Sequence, residues 1–214
     1  MNPAEMTPDV FIKICGITRV ADALHALQQG ATALGFVFWP NSPRAIEPRD
    51  AREIIAALPD GVMTVGVFVN GSAQQVQDAV AASGVRAVQL HGDERPHDFE
   101  FLAQPLLRSV TLEEMSERSR RWPAGTTWLL DAADRVRRGG TGVPIDWSRA
   151  CAVARHNKVV LAGGLTPSNV EEAIRRVQPF GVDVSSGVES SPGIKDVEKV
   201  ASFVTNARRA FALL

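Results

Sequence analysis

Two textures alternate along the chain. Short, almost unbroken apolar runs recur at Val10–Cys15, Ala33–Phe38, Met63–Val69, Ala87–His91, Leu106–Val110, Thr127–Asp131, Lys158–Ala162 and Gly181–Val184. Runs of this length read as strands buried on both faces, the habit of a parallel sheet. Between them lie segments whose apolar residues recur at helical spacing: Val20, Leu24 and Leu27; Ile54, Ile55 and Leu58; Val76, Ala79 and Val80; Val170, Ala173, Ile174 and Val177. These predict amphipathic helices covering the sheet.

The punctuation agrees. Thr18 is placed to cap the first helix and Gly30 to stop it, and Pro48 opens the second. Ser72 followed by Gln75 is a capping-box pattern for the third. Pro96 starts a helix through Phe99 and Leu102, and Leu112–Arg121 forms a very polar helix. Trp147–Arg155 is the sixth helix, Thr166-Pro167 opens the seventh, and Asp196–Leu213 is the last. Trp39–Arg44, with two prolines, is a loop, as is Ala132–Ile145 with its Gly139-Gly140-Thr141-Gly142. Eight strand–helix units predict an α/β fold, a single (β/α)₈ barrel over residues 10–214, preceded by a frayed segment 1–9. The competing arrangement is an open doubly wound sheet. A dinucleotide-binding version would place Gly-x-Gly-x-x-Gly after an early strand, and only Gly16 follows Cys15.

Composition narrows the function classes. At 214 residues and 45% hydrophobic, the chain fits one domain with a sizeable core. A formal net charge of −1 with dispersed basic residues carries no footprint for nucleic acid or a membrane surface. Arg135-Val136-Arg137-Arg138 reads as a solvated loop. Two cysteines and four scattered histidines make neither a disulfide framework nor a metal-ligand spacing; Glu94-Arg95-Pro96-His97 matches Glu-x-x-His once, with a proline inside it. No apolar run has membrane-spanning length and residues 1–9 lack an apolar signal core, which predicts a soluble cytoplasmic protein.

In a barrel the carboxyl ends of the strands share the face that carries chemistry. Here those ends read Cys15, the loop to Arg44, Asn70, His91, Asp131, Gly163-Gly164 and Ser185-Ser186-Gly187. The small-residue turns after the seventh and eighth strands sit where barrels hold phosphate. Gly140-Thr141-Gly142 offers a cover over the same site. Cys15 is either a small buried hydrophobe or, beside a glycine turn and a helix start that favour a thiolate, a base. Cys151 reads as packing. Asp131, after Trp128-Leu129-Leu130, is either a loop anchor or, if desolvated, a general acid. Asp183, inside the last strand, is either a structural ion pair or a substrate contact. Arg44 can take an anionic group in a two-pronged grip, and His91 either shapes the pocket or pairs with substrate.

Together these residues resemble the phosphoribosylanthranilate isomerase family of tryptophan biosynthesis. The carrying motifs are Lys13-Ile14-Cys15-Gly16-Ile17-Thr18, Gly35-Phe36-Val37-Phe38 with Ser42-Pro43-Arg44, Val65–Asn70, Val88–Gly92, Leu129-Leu130-Asp131, Gly139–Gly142 with Asp146-Trp147, Leu161–Leu165, and Val182–Glu189. The resemblance spans about Val10 to Lys195. It implies an Amadori rearrangement of N-(5-phosphoribosyl)anthranilate, without metal or cofactor, on a monomer or homodimer whose partner is a small phosphosugar. It further implies Asp131 as general acid, Cys15 as general base, Arg44 for the anthranilate carboxylate, and Gly163, Gly164, Ser185, Ser186 and Gly187 for the phosphate. His91, Asp183, Gly140 and Thr141 complete the expected substrate site. Two rivals share the scaffold: a different phosphosugar isomerase, which would carry aspartate in place of Cys15, and a non-catalytic phosphate-binding module.

Overall fold

The computed structural model of the chain describes residues 10–131 and 145–214. Eight parallel strands pair in sequence order and close into a barrel: β1 (Phe11–Cys15), β2 (Ala33–Val37), β3 (Met63–Phe68), β4 (Ala87–Leu90), β5 (Leu106–Val110), β6 (Thr127–Leu130), β7 (Val159–Leu161) and β8 (Gly181–Val184). The seam is the pairing of β1 with β8, in which Lys13 stands opposite Asp183. Around the barrel run α1 (Val20–Gln29), α2 (Pro48–Ala56), α3 (Ala73–Ser83), α4 (Met115–Arg118), α5 (Trp147–Ala154), α6 (Val170–Val177) and α7 (Val197–Phe211).

The period of two along each strand separates two cores. Ile12, Ile14, Leu34, Phe36, Val88, Leu90, Leu130, Leu161, Val182 and Val184 point outward and are buried against the helices. The alternate residues fill the barrel. Toward its amino-terminal end they are apolar: Phe11 packs against Val65, Ala87 and Leu107 on one side and Leu129, Val160 and Ala162 on the other. Toward the carboxyl end the same inward positions turn polar, with Lys13, Cys15, Gln89, Ser109 and Asp183 all buried. One alternation thus supplies both the packed floor and the chemical lining above it.

Most expected caps are present. Gly30 stops α1 in the left-handed region at φ 100°, Pro48 is the first residue of α2, and Ser72 and Gln75 form the capping box of α3. Four segments differ. Thr18 does not cap α1; its hydroxyl donates to the Gly193 carbonyl, and the helix starts after Arg19. The segment at Pro96 is a 3₁₀ turn, Pro96–Phe99. The polar stretch predicted as a helix over Leu112–Arg121 keeps one α-helical turn, because Met115 is the apolar anchor it buries. Thr166-Pro167 forms a turn: the Thr166 N–H donates to Asn169 Oδ1, and α6 begins at Val170. A hairpin absent from the sequence reading, β9 (Glu189–Ser191) with β10 (Ile194–Lys195), separates β8 from α7. The segment 1–9 and most of the loop expected over Ala132–Ile145 lie outside the described residues.

Candidate active site

A cavity of about 440 Å³ opens at the carboxyl ends of the strands, within the usual size for a small-molecule site. All ten described candidates line it: Cys15, Arg44, His91, Asp131, Gly163, Gly164, Asp183, Ser185, Ser186 and Gly187. Gly140 and Thr141 lie outside the described residues.

Cys15 is the last residue of β1 and its side chain points inward. The sequence suggested that a helix start would favour its thiolate, but α1 begins only at Val20. What surrounds the sulfur instead is buried charge. Burial pushes the thiol up, Lys13 opposes that, and Asp183 reinforces it. Lys13 is fully buried and donates to Asp183 Oδ1 at 2.9 Å. Burial works against its ammonium, yet Asp183 and Cys15 outweigh it and the group is pushed up to about 12. The ion-pair reading of Asp183 is the one observed, and the residue also lines the cavity.

Across the cavity, Asp131 follows β6 and faces His91, with His91 Nε2 3.6 Å from Asp131 Oδ2. The other ring nitrogen, Nδ1, lies 3.0 Å from Ser109 Oγ and 3.3 Å from Gln89 Nε2. The Gln89 amide and the Ser109 hydroxyl thus bracket one edge of the imidazole while the other edge faces Asp131. Beneath His91 sits a buried polar brace. Arg108, on the outward face of β5, donates to the Leu90 and Gly92 carbonyls and to Glu94 Oε2. Glu94 in turn accepts from the Asn70 and Gly92 N–H groups. Burial holds the Arg108 guanidinium down at about 10, and its planar face lies over Trp122.

Arg44 was expected to offer its guanidinium to an incoming anion. It already holds one: Nε and Nη2 donate to the two oxygens of Glu189 at 2.8 and 2.7 Å. Glu189 also accepts from Lys195 Nζ at 2.7 Å, so the β9–β10 hairpin clamps the arginine. Gly16 makes this approach possible. Its φ is 75°, and a Cβ there would lie 2.6 Å from Arg44 Cδ. A guanidinium carries five N–H donors, and the fork to Glu189 uses two of them.

The turns after β7 and β8 fold as close-approach loops. Gly163 and Gly164 hold φ 76° and 71°, and Asn169 Nδ2 secures the Gly164 carbonyl at 3.0 Å. Gly187 sits in the 3₁₀ turn Ser186–Val188, where a Cβ would lie 1.9 Å from the Leu165 carbonyl oxygen. The two loops are thus packed backbone to backbone.

Comparison with known proteins adds the chemistry. Residues 12–206 match the family described as N-(5'-phosphoribosyl)anthranilate (PRA) isomerase. The chain belongs to this family. Its members are aldose–ketose isomerases of tryptophan biosynthesis. The N-(5'-phosphoribosyl)anthranilate isomerase of Pseudomonas paraeruginosa is 46% identical over 204 residues, covering 94% of this chain and 96% of that one. The crystal structure of phosphoribosyl anthranilate isomerase from Thermotoga maritima superposes with a TM-score of 0.86 at 40% identity, covering 94% of this chain and all of the other. A phosphoribosyl anthranilate isomerase solved in complex with reduced 1-(o-carboxyphenylamino)-1-deoxyribulose 5-phosphate gives 0.83 at 40% identity, with the same coverage. Among the described residues, no helix is long and apolar enough to cross a membrane.

Sequence reasoning missed several members of the site. Lys13, Gln89, Ser109, Glu189 and Lys195 were assigned no role. A signal existed for Lys13: one lysine inside an apolar first strand and one aspartate inside an apolar last strand become neighbours when a barrel closes.

Proposed function

We propose that this chain converts N-(5-phosphoribosyl)anthranilate to 1-(2-carboxyphenylamino)-1-deoxyribulose 5-phosphate, with Asp131 as general acid and Cys15 as general base. The observation that carries this reading is the placement of a carboxyl and a thiol on the rim of one cavity, with paired glycine turns between their strands.

The chemistry needs one proton given and one taken. Asp131 protonates the furanose ring oxygen; the C1–O bond breaks and the nitrogen lone pair forms the Schiff base. Cys15, as thiolate, removes the C2 proton, and the electron pair left behind gives an enolamine. Its tautomerisation moves the hydroxyl proton of C2 to C1 and yields the ketone. These are proton transfers and a ring opening, and the atoms balance with no co-reactant. His91, facing Asp131, orients the acid. Gly163, Gly164, Ser185, Ser186 and Gly187 bind the phosphate through backbone N–H groups and hydroxyls, in the loops barrels use for that purpose. Arg44, already set by Glu189, presents its remaining donors to the anthranilate carboxylate. Asp183 contacts a ribulose hydroxyl while holding Lys13. Gly140 and Thr141, expected in the same substrate site, lie outside the described residues.

Steady-state kinetics of Cys15→Ala and Asp131→Asn, with substrate affinity measured alongside, tests the assignment. Each is expected to lose on the order of 10²–10⁴ in turnover, the usual contribution of a positioned acid or base, with a smaller change in affinity. Wild-type turnover in either variant removes that residue from the mechanism.

A further inference from the structure

Lys13 is a fully buried cation that the proton transfers above leave without a task. It lies two residues before Cys15 on β1, so both side chains point into the barrel on the same face. Its neighbours in the ladder are Ala33 on β2 and Asp183 on β8. Small residues on β2 make room for it. A Cβ on Gly35, the ladder partner of Cys15, would lie 2.8 Å from Cys15 Sγ and 3.0 Å from Lys13 Cε. Gly35 therefore leaves a slot that the thiol and the end of the lysine chain share. Asp183 fixes the ammonium from the other side at 2.9 Å.

We propose that Lys13 is a positioning residue for the reaction: held by Asp183, its ammonium supplies the counter-charge for the Cys15 thiolate. The inference rests on the reading of Cys15 as the base. Four charged groups face that sulfur, and their signs are distinct. Lys13 from β1 and Lys195 from β10 favour the thiolate, and Asp183 from β8 opposes it. Arg44, from the loop after β2, is also electrostatically coupled to the thiol. Burial raises the thiol and a cation beside it works in the opposite direction, toward the thiolate. The opposite signs of Lys13 and Asp183 distinguish this role from a purely structural ion pair. A structural pair loses the same thing whichever partner is removed; a tuned thiol moves in opposite directions.

The experiment reads the thiol directly. The alkylation rate of Cys15 by iodoacetamide is followed against pH by peptide mass spectrometry, in the full chain with Cys151→Ser to remove the second thiol. Lys13→Met is expected to move the midpoint up by about 1–3 pH units, the usual effect of one neighbouring opposite charge, and Asp183→Asn to move it down. The charge-neutral double variant Lys13→Met/Asp183→Asn keeps the slot filled and is expected to lie above the wild type. If Lys13→Met does not fold, the downward shift in Asp183→Asn and the upward shift in the double variant carry the test. Equal midpoints in all folded variants, or a shift in the same direction for both single variants, overturn the proposal. The acidic limb of kcat/KM against pH is then compared with the alkylation midpoint. A limb that follows it supports both the counter-charge and the base. A limb that stays put while alkylation shifts upholds the counter-charge and overturns the base assignment alone.

Discussion

Glu189→Gln removes one negative charge from a buried cluster of two cations. The wild-type carboxylate is 5% exposed and accepts from Arg44 Nε at 2.8 Å, Arg44 Nη2 at 2.7 Å and Lys195 Nζ at 2.7 Å. Lys195 is itself buried, and burial holds its ammonium below the ordinary value. Deleting one partner of a buried pair costs about 3–5 kcal/mol, because the other charge is left uncompensated. The amide keeps one acceptor oxygen and the shape of the side chain. The cost is therefore expected nearer about 2–3 kcal/mol, the size of one or two hydrogen bonds to charged groups. For a chain of this size that is a fall of about 4–12 °C in Tm. Thermal unfolding followed by circular dichroism at neutral pH measures it.

The pH dependence has a defined sign. Burial raises the Glu189 carboxyl, but the Arg44 hydrogen bond and Lys195 outweigh it and hold the group below the usual carboxylate range. A depressed folded value means that its contribution is complete above the unfolded value of about 4.3 and is lost as pH falls through the lower folded value. The Tm gap between wild type and Glu189→Gln is therefore full above about pH 5 and narrows below about pH 4. An unchanged Tm at neutral pH, or a gap that widens on acidification, refutes the clamp. Because Glu189 sets Arg44, KM for the carboxylate-bearing substrate is expected to rise more than kcat falls.

Two further perturbations follow from close contacts. Gly187→Ala places a methyl 1.9 Å from the Leu165 carbonyl oxygen and forces the loops after β7 and β8 apart. Its expected signature is a rise in KM on the order of tenfold, equivalent to about 1.4 kcal/mol, with weaker inhibition by inorganic phosphate. Arg108→Met leaves Glu94 and the Leu90 and Gly92 carbonyls without their buried donor, an expected loss of about 3–5 kcal/mol on denaturant unfolding. It is also expected to lower kcat, since those carbonyls flank His91.

The barrel was legible because its strands are buried on both faces and read as apolar runs, while the helices read as one-sided. The rim residues were legible for a related reason. A polar group that ends an apolar run, as Cys15 and Asp131 do, faces the open end of the barrel. What the sequence hid is pairing across distance. Lys13 meets Asp183, 170 residues away, through closure of the seam, and Arg44 meets Glu189 across 145 residues. The first contact is signalled only once the barrel is known to close, and no local pattern announces the second. The β9–β10 hairpin was hidden because strands of three and two residues are too short to show alternation. The polar stretch after β5 misled in the opposite way. Its composition suits a helix, but with Met115 as the buried residue of that turn it extends no further, and Trp122 packs beyond it against Arg108.

The most direct test of the isomerase reading is a time course of the purified chain with freshly prepared N-(5-phosphoribosyl)anthranilate, read as loss of the substrate's fluorescence. Decay faster than spontaneous breakdown, with 1-(2-carboxyphenylamino)-1-deoxyribulose 5-phosphate as the product by mass spectrometry and no acceleration by Cys15→Ala, is the expected result. A folded chain that leaves the spontaneous rate unchanged contradicts the reading and leaves a barrel built for a different phosphorylated ligand.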